Sequence, residues 1–358
     1  MASRGADARF APRREWTDDH PVLSVLRRRR DKNSVPGNRS DGFRVVLAVE
    51  GGGLRGIISA AMLSALEDIG LTNAFDAVYS CSSGAVNAAY FLTGDTWYPI
   101  SIYYDDLASK RFLDFRRALR GQPIMDLSFA LDEVVALTKP LDFAGVRASS
   151  IPLHIMVTDV DQLQTRLIYP FPSDEDLLNA LRASMWLPLA VPGAPRFHGY
   201  RAIDGGVLTA HPFMVARGLR DEAPTHILSL STRPMGSMRP GVSWLNQYVG
   251  RHLDRVRPGL GTSHLRSITA YKAARRAIEP ERMNPRTEPY ILDLAPLPHR
   301  PELVRHEMNK WLLIEGARDG YEVAYYAVEG RYRRAMPRLI APGHGREDFR
   351  FPVDLPYQ

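Results

Sequence analysis

Three short segments of this chain carry residue types suited to acyl transfer. They are Glu50-Gly51-Gly52-Gly53-Leu54-Arg55-Gly56, Ser80-Cys81-Ser82-Ser83-Gly84, and Tyr200-Arg201-Ala202-Ile203-Asp204-Gly205-Gly206. A serine hydroxyl is a poor nucleophile at neutral pH, so it needs exposure to substrate and a base within hydrogen-bond reach. A sharp strand-to-helix turn gives that exposure and demands small neighbours, which Ser80, Ser83 and Gly84 supply around Ser82. Ser80 and Ser83 are the alternative nucleophiles, and a plain helix cap is the competing structural role for Ser82. Attack on an ester creates an oxyanion that needs preorganised donors about 3 Å away. In the loop from Gly51 to Gly56, consecutive glycines let successive N–H groups converge with no Cβ in the way. Gly52 and Gly53 are the expected donors, next to a helix start whose dipole favours negative charge. Asp204 stands at an expected strand end before two glycines, so its carboxylate can project into a cleft and accept a proton. On its own, Asp-Gly-Gly is an ordinary turn.

In this order the segments resemble the patatin-like phospholipases, serine acyl hydrolases that use a Ser–Asp dyad. The resemblance runs from Phe43 to Pro234, includes the stretch from Ala183-Ser184 to Pro192, and covers the last third only loosely. It implies a three-layer α/β/α fold with a mostly parallel central sheet and a helical C-terminal extension. It also implies Ser82 as nucleophile, Asp204 as base and then acid, and an oxyanion hole from Gly51, Gly52, Gly53 and Arg55. No metal or organic cofactor is implied. Arg55 would hold the loop, and its guanidinium could sense a phosphate headgroup. The chain departs from the family pattern at Glu50, where aspartate is usual, and at Ser80, where glycine is usual. The implied activity is cleavage of carboxylic esters of phospholipids or other acyl lipids through an acyl-serine intermediate. The alternative, from another class, is a non-catalytic lipid-binding or scaffold protein that keeps the fold.

Other chemistries fit less well. The six residues from Gly51 to Gly56 also match G-x-G-x-x-G after a strand. Dinucleotide binding needs an acid at the end of the next strand, whereas Asp76 precedes its strand. No Gly-Lys-Ser/Thr follows, which excludes a Walker loop. For a Ser-His-Asp triad, His226, His252, His264, His299 and His306 are available late in the chain, but none sits in a Gly-flanked loop. His211 near Asp204 reads as structural or cleft-lining. The single cysteine, Cys81, rules out an internal disulfide and reads as a small buried residue. No His or acidic cluster has metal-ligand spacing, Asp159/Asp161 included.

The formal charge is +6 with 45% apolar residues, which suits a protein with a proper core. Its lysines are only Lys32, Lys110, Lys139, Lys272 and Lys310, so arginine carries the basic excess. That excess favours an anionic surface such as a phospholipid layer, and nothing matches a nucleic-acid-binding module. No apolar run reaches the roughly eighteen residues of a spanning helix, and Met1 to Trp16 lacks a signal-peptide core. The expectation is a cytoplasmic protein that touches membranes peripherally. Oligomeric state, headgroup, acyl position, and hydrolysis versus acyl transfer stay open.

Along the chain, residues 1–40 read as a mobile basic arm around the run Arg27 to Arg30. Residues 41–235 read as the catalytic core, with strands at Val45 to Val49, Phe75 to Tyr79, Pro152 to Val160, Gln164 to Tyr169 and Ile227 to Ser231. Apolar Ile58, Met62, Leu66 and Ile69 mark one helix, Ser83 to Leu92 a second, and Ser173 caps a third. Strands separated by helices argue for a mostly parallel sheet covered on both faces. Residues 236–336 read as a mainly helical extension packed on the core, with helices at Trp244 to Arg255, Leu265 to Ile278 and Leu303 to Arg334 and one strand at Tyr290 to Leu294. Residues 337–358 read as an extended tail. The groups Trp97 to Tyr104 and Trp186 to Leu189 are either acyl-channel or lipid-contacting residues, or ordinary core.

Overall fold

The computed structural model of the chain describes residues 11–345. Its centre is β1 (Val45–Val49), an apolar run buried on both faces, as a strand needs when helices cover the sheet on each side. Alternate residues divide between two cores: Val45, Leu47 and Val49 face one, Val46 and Ala48 the other. β2 (Ala77–Ser80) lies parallel to β1 on one side, and β7 (His226–Leu230) lies parallel on the other. β3 (Leu153–Asp159) extends the sheet beyond β2, and β8 (Tyr290–Leu294) extends it beyond β7, again in parallel. β4 (Gln164–Ile168) turns back antiparallel on β3. A small hairpin of β5 (Arg196–Phe197) and β6 (Tyr200–Asp204) adds a further antiparallel partner to β3.

The helices complete an α/β/α sandwich. On one face lie α1 (Pro21–Asp31), α2 (Ile57–Asp68), α3 (Ser83–Leu92) and α4 (Trp97–Ser101). α5 (Phe143–Ala148) and α6 (Asp174–Met185) continue that layer. Ser173 caps α6 by accepting from the Asp176 N–H at 3.1 Å. On the other face, α7 (Phe213–Ala216) packs through Phe213 and Ala216. α8 (Trp244–Val256) and α9 (Leu260–Ile278) cross at Gly250 and Gly261, where a Cβ on Gly261 would stand 2.0 Å from the Gly250 carbonyl oxygen. α10 (Lys310–Glu329) returns to the first face, and Gly320 lets its backbone rest on α2 at Ile58. The mostly parallel sheet and its two helical layers agree with the fold class read from the sequence.

The N-terminal segment differs from that reading. Residues 21–31 form a helix whose Val22, Leu23, Val25 and Leu26 are buried, so this part of residues 1–40 is not a mobile arm. The arginine run does not face solvent as a block. Arg29 is 1% exposed and is held by Asp41 at 2.7 Å and Asp76 at 2.8 Å. Arg27 donates to the Val328 and Ala327 carbonyls at the end of α10, and Arg30 pairs with Glu329. Two of the four arginines thus satisfy carbonyls and acids that would otherwise be buried unpaired, and a third closes on α10. In the C-terminal third, β8 is a strand of the central sheet and α10 covers α2. Of the expected tail, residues 337–345 are described, with Leu339 and Ile340 buried and the Ile340 carbonyl accepting from the Tyr104 hydroxyl. Residues 1–10 and 346–358 lie outside the described residues.

Candidate active site

The meeting of Ser82 and Asp204 follows from strand register. On β3, Ile155 pairs with both Ser80 of β2 and Ile168 of β4. Val157 pairs with both Asp204 of β6 and Arg166 of β4. A strand has two edges, so β2 and β6 share the edge opposite β4. β2 runs parallel to β3 and β6 antiparallel, so the C-terminal ends of the two strands face each other across Met156. Ser80 ends one and Asp204 the other. Met156 fills the gap with its carbonyl, which accepts from the Ser184 hydroxyl at 2.8 Å, and Ser184 in turn accepts from the Ser82 N–H at 2.8 Å. Gly205 passes so close that a Cβ there would stand 2.5 Å from the Met156 carbonyl oxygen.

Ser82 itself has φ 53° and ψ −139°, a conformation that side-chain-bearing residues rarely adopt and that surrounding structure must enforce. Gly84 permits the turn, because a Cβ there would meet the Val49 carbonyl at 2.7 Å. The result is a half-buried serine at the first position before α3. Asp204 is 8% exposed. Burial raises its pKa above the ordinary carboxylate value, while the Ser82 hydroxyl, the Gly206 N–H at 2.7 Å and the charge of Arg305 pull it back down. Among the described residues no histidine hydrogen-bonds either member of the pair. His264 Nδ1–H donates to the Val207 carbonyl at 2.8 Å, and His211 is buried against Ser231 at 3.1 Å, in a structural role. Burial drives the Cys81 thiol pKa far up, which removes it as a nucleophile. Ser80 is fully buried and its hydroxyl has no partner, so it cannot compete with Ser82.

The glycine loop lies directly against the elbow. A Cβ on Gly51 would fall 2.5 Å from the Cys81 carbonyl oxygen and 2.8 Å from the Ser82 Cβ. Gly52 and Gly53 both have positive φ, 159° and 60°. The Gly53 N–H has no acceptor among the described residues, whereas the Gly52 N–H donates to Ser83 Oγ at 3.1 Å. Gly53 is therefore the open donor of the loop, and Gly52 is engaged by the residue after Ser82. Arg55 is 2% exposed; its Nε donates to Thr232 at 3.0 Å and its Nη1 reaches Glu302 at 3.4 Å. Buried in this way, it braces the loop and offers no free face to a headgroup.

Comparison with known proteins gives the family of this arrangement. The patatin-like phospholipase family model matches residues 47–217. This segment is a patatin-like domain. It contains the glycine loop, the elbow and the aspartate in the order of the sequence reading. A curated relative, the uncharacterized protein YjjU of Escherichia coli (strain K12), is 28% identical over 188 residues, or 52% of this chain and 51% of YjjU. The chain thus spans about half the length of that relative. The crystal structure of VipD from Legionella pneumophila aligns over 81% of this chain and 67% of its own, at 11% identity and a TM-score of 0.37.

Several residues around the patatin-like site carried no sequence signal. Met156 falls inside an unremarkable apolar run, and Ser184, though within the stretch that carries the resemblance, gave no sign that it joins the elbow to β3 from 102 residues away. Glu50 does more than stand in for aspartate. Its longer side chain accepts from the Thr232 N–H at 2.5 Å, the Thr232 hydroxyl at 2.8 Å and the Tyr271 hydroxyl at 2.8 Å. Burial would raise its pKa, but His211, Arg55, Arg275 and the Thr232 N–H bring it down to about 2. Trp97, Ile100 and Tyr104 are core residues. Beside α3 runs a narrow apolar cavity of about 30 Å³, lined by Val86, Tyr90, Ile102, Tyr103, Leu131 and Val135 and reaching Ser83. Its far wall is formed by two π-helical segments, Ile102–Leu107 and Phe129–Thr138. Among the described residues no cluster of His, Cys, Asp or Glu could hold a metal, and no helix is long and apolar enough to cross a membrane.

Proposed function

We propose that this protein is a serine acyl hydrolase acting on carboxylic esters of lipids. The observation that carries the reading is the end-to-end approach of β2 and β6, which sets a strained Ser82 beside a desolvated Asp204 carboxylate. In the first half-reaction, Ser82 Oγ attacks the ester carbonyl carbon and Asp204 takes the hydroxyl proton. The oxyanion is held by the Gly53 N–H, joined by the Gly52 N–H once it leaves Ser83 Oγ. The carbon–oxygen bond to the alcohol then breaks, and Asp204 gives that oxygen its proton. Water attacks the acyl-serine, Asp204 takes a proton from it, and the carboxylic acid departs as Ser82 regains its hydrogen.

The acyl tail is directed along α3 into the apolar slot. With room for only about one water, the slot takes a chain only when its π-helical wall moves, and π-helical turns recur at functional sites. Contact with an anionic membrane would run through Phe115 and Leu119, exposed by 56% and 89% beside Arg116, Arg117 and Arg120. The Phe115 ring meets His306 at 5.7 Å, which puts this surface at the edge of the site.

The test is covalent labelling with a fluorophosphonate, located by mass spectrometry, together with turnover of p-nitrophenyl butyrate. Label on Ser82 in the wild type, none in Ser82→Ala, and turnover lost by roughly 10³-fold or more in both Ser82→Ala and Asp204→Asn are expected. Turnover that survives Ser82→Ala rejects this assignment; an unlabelled, inactive wild type favours a lipid-binding scaffold.

A further inference from the structure

The segment between β8 and α10 lies across the glycine loop. The Arg305 carbonyl accepts from the Leu54 N–H at 2.9 Å, and a Cβ on Gly53 would stand only 2.7 Å from that carbonyl oxygen. The backbone at residue 305 is therefore in contact with the open donor of the loop. The side chain is exposed, and among the described residues its guanidinium makes no ion pair or hydrogen bond. Its neighbours are otherwise committed. Glu302, the nearby carboxylate, is shared between Arg55 at 3.4 Å and Arg233 at 3.2 Å. Glu307 accepts from the Asn309 N–H at the start of α10. Two arginines thus already share the one nearby carboxylate, and Arg55 Nη2, buried next to Gly52, is itself unpartnered. The Arg305 charge also acts on Asp204, Cys81, Arg55 and His264, which agrees with the closeness of residue 305 to the glycine loop.

We propose that Arg305 binds a negatively charged group of the substrate, so that the site selects acyl esters carrying a phosphate or carboxylate near the scissile bond. The inference rests on the hydrolase reading for its consequence in turnover, but not for anion binding itself. A guanidinium presents a planar fork of donors that fits both anions in two-pronged fashion, and an unpaired one beside a reaction centre is free to do so. A lipid headgroup and a free phosphate offer the same chemistry, and the experiment separates them.

Because the clamp on Leu54 runs through a backbone carbonyl, Arg305→Gln removes the charge and leaves the clamp. In the full-length protein, kcat/KM would be measured for neutral p-nitrophenyl butyrate, for anionic mono-p-nitrophenyl glutarate and for 1-butyryl-glycerol 3-phosphate. The anionic-to-neutral ratio is expected to fall about 10- to 100-fold in Arg305→Gln, the range of a lost charge-assisted hydrogen bond, and to recover in part in Arg305→Lys. An unchanged ratio, or an equal fall on all three esters, overturns the proposal. Calorimetric titration of sn-glycerol 3-phosphate and of inorganic phosphate into wild type, Ser82→Ala and Arg305→Gln supplies a readout without turnover. Binding weakened about tenfold or more in Arg305→Gln but not in Ser82→Ala is expected, with glycerol phosphate the tighter ligand. Inorganic phosphate binding as tightly, with no effect on the ester ratio, would mean a free-anion site and overturn substrate selection. If Ser82→Ala keeps turnover while the titrations behave as expected, the hydrolase assignment fails and anion binding at Arg305 stands.

Discussion

Replacing Gly51 with alanine tests whether the glycine loop and the serine elbow work as one fitted unit. The new Cβ would lie 2.5 Å from the Cys81 carbonyl oxygen, 2.8 Å from the Ser82 Cβ and 3.1 Å from the Gly84 nitrogen. Two of these are backbone atoms of the elbow, and the elbow is tethered through Ser82 N–H to Ser184 and on to Met156. It cannot swing away as a flexible side chain would. Ordinary contact requires the two segments to separate by somewhat under 1 Å, and overpacking of this kind costs about 1–3 kcal/mol. A misplacement near 1 Å at a reaction centre costs about 10²-fold in rate. We therefore expect Gly51→Ala to fold, to lose about 1–3 kcal/mol in urea unfolding, and to turn over p-nitrophenyl butyrate about 10²-fold more slowly. Gly94→Ala is the control. Gly94 has φ +69° with nothing within 4 Å of its Cβ position, so it carries backbone strain of about 1–2 kcal/mol with no crowding. Its turnover should match wild type at a similar loss of stability. Wild-type turnover in Gly51→Ala, or an equal loss in Gly94→Ala, would refute the idea that close fit of loop to elbow sets the rate.

Two further outcomes follow from the electrostatics and packing of the pair. Asp204 must be ionised to act as base, so turnover should fall on acidification with a midpoint above 3.8, because burial raises this carboxyl while Ser82, the Gly206 N–H and Arg305 only partly offset it. For stability the sign is the reverse of the usual carboxylate. A raised folded-state pKa favours the folded protein while the group is protonated and disfavours it as pH rises past the unfolded value, so Asp204→Asn should unfold at higher urea than wild type at pH 7 and lose that advantage below pH 3.8. Ser80→Ala deletes a buried hydroxyl with no partner at the end of β2, and is expected to stabilise the protein by about 1–3 kcal/mol in the same urea assay.

The parts of the site built from consecutive residues were legible in the sequence. A buried strand followed by glycines, and another followed by small residues around a serine, announce themselves locally because the turn geometry restricts what fits. β1 and α3 have the bounds read from the apolar runs, and the Ser173 cap is where its side chain predicts. The resemblance named Asp204, but no local pattern says that β6 will meet β2 end to end along one edge of β3. That requires the antiparallel hairpin, and its first strand is only two residues long. The N-terminal segment was misread for a related reason. A run of arginines beside a Pro-Gly pair looks solvated, and the acids that bury Arg29 lie 12 and 47 residues away. Long-range ion pairs leave no periodicity to detect. The same blindness hid Met156, Arg305 and the link that Ser184 makes to the elbow, all defined by contacts and not by neighbours.

The patatin-like match ends at residue 217, yet the physical unit does not. β1, the strand that delivers the glycine loop, has β2 on one side and β7 on the other, and β7 begins at His226. Without it, a strand buried along its whole length would become an open edge of unpaired N–H and C=O groups. The loop's own supports lie later still. Glu50, at its root, is held by Thr232 and Tyr271; Arg55 by Thr232 and Glu302; Leu54 by the carbonyl of Arg305. Each of these contacts crosses from the matched segment to residues beyond 217. The elbow and the aspartate are thus internal to the matched segment, while the glycine loop is shaped from outside it. Substitutions at residues 232, 271 and 302, which support the loop through their side chains, should accordingly act on the loop and leave the register that joins Ser82 to Asp204 intact.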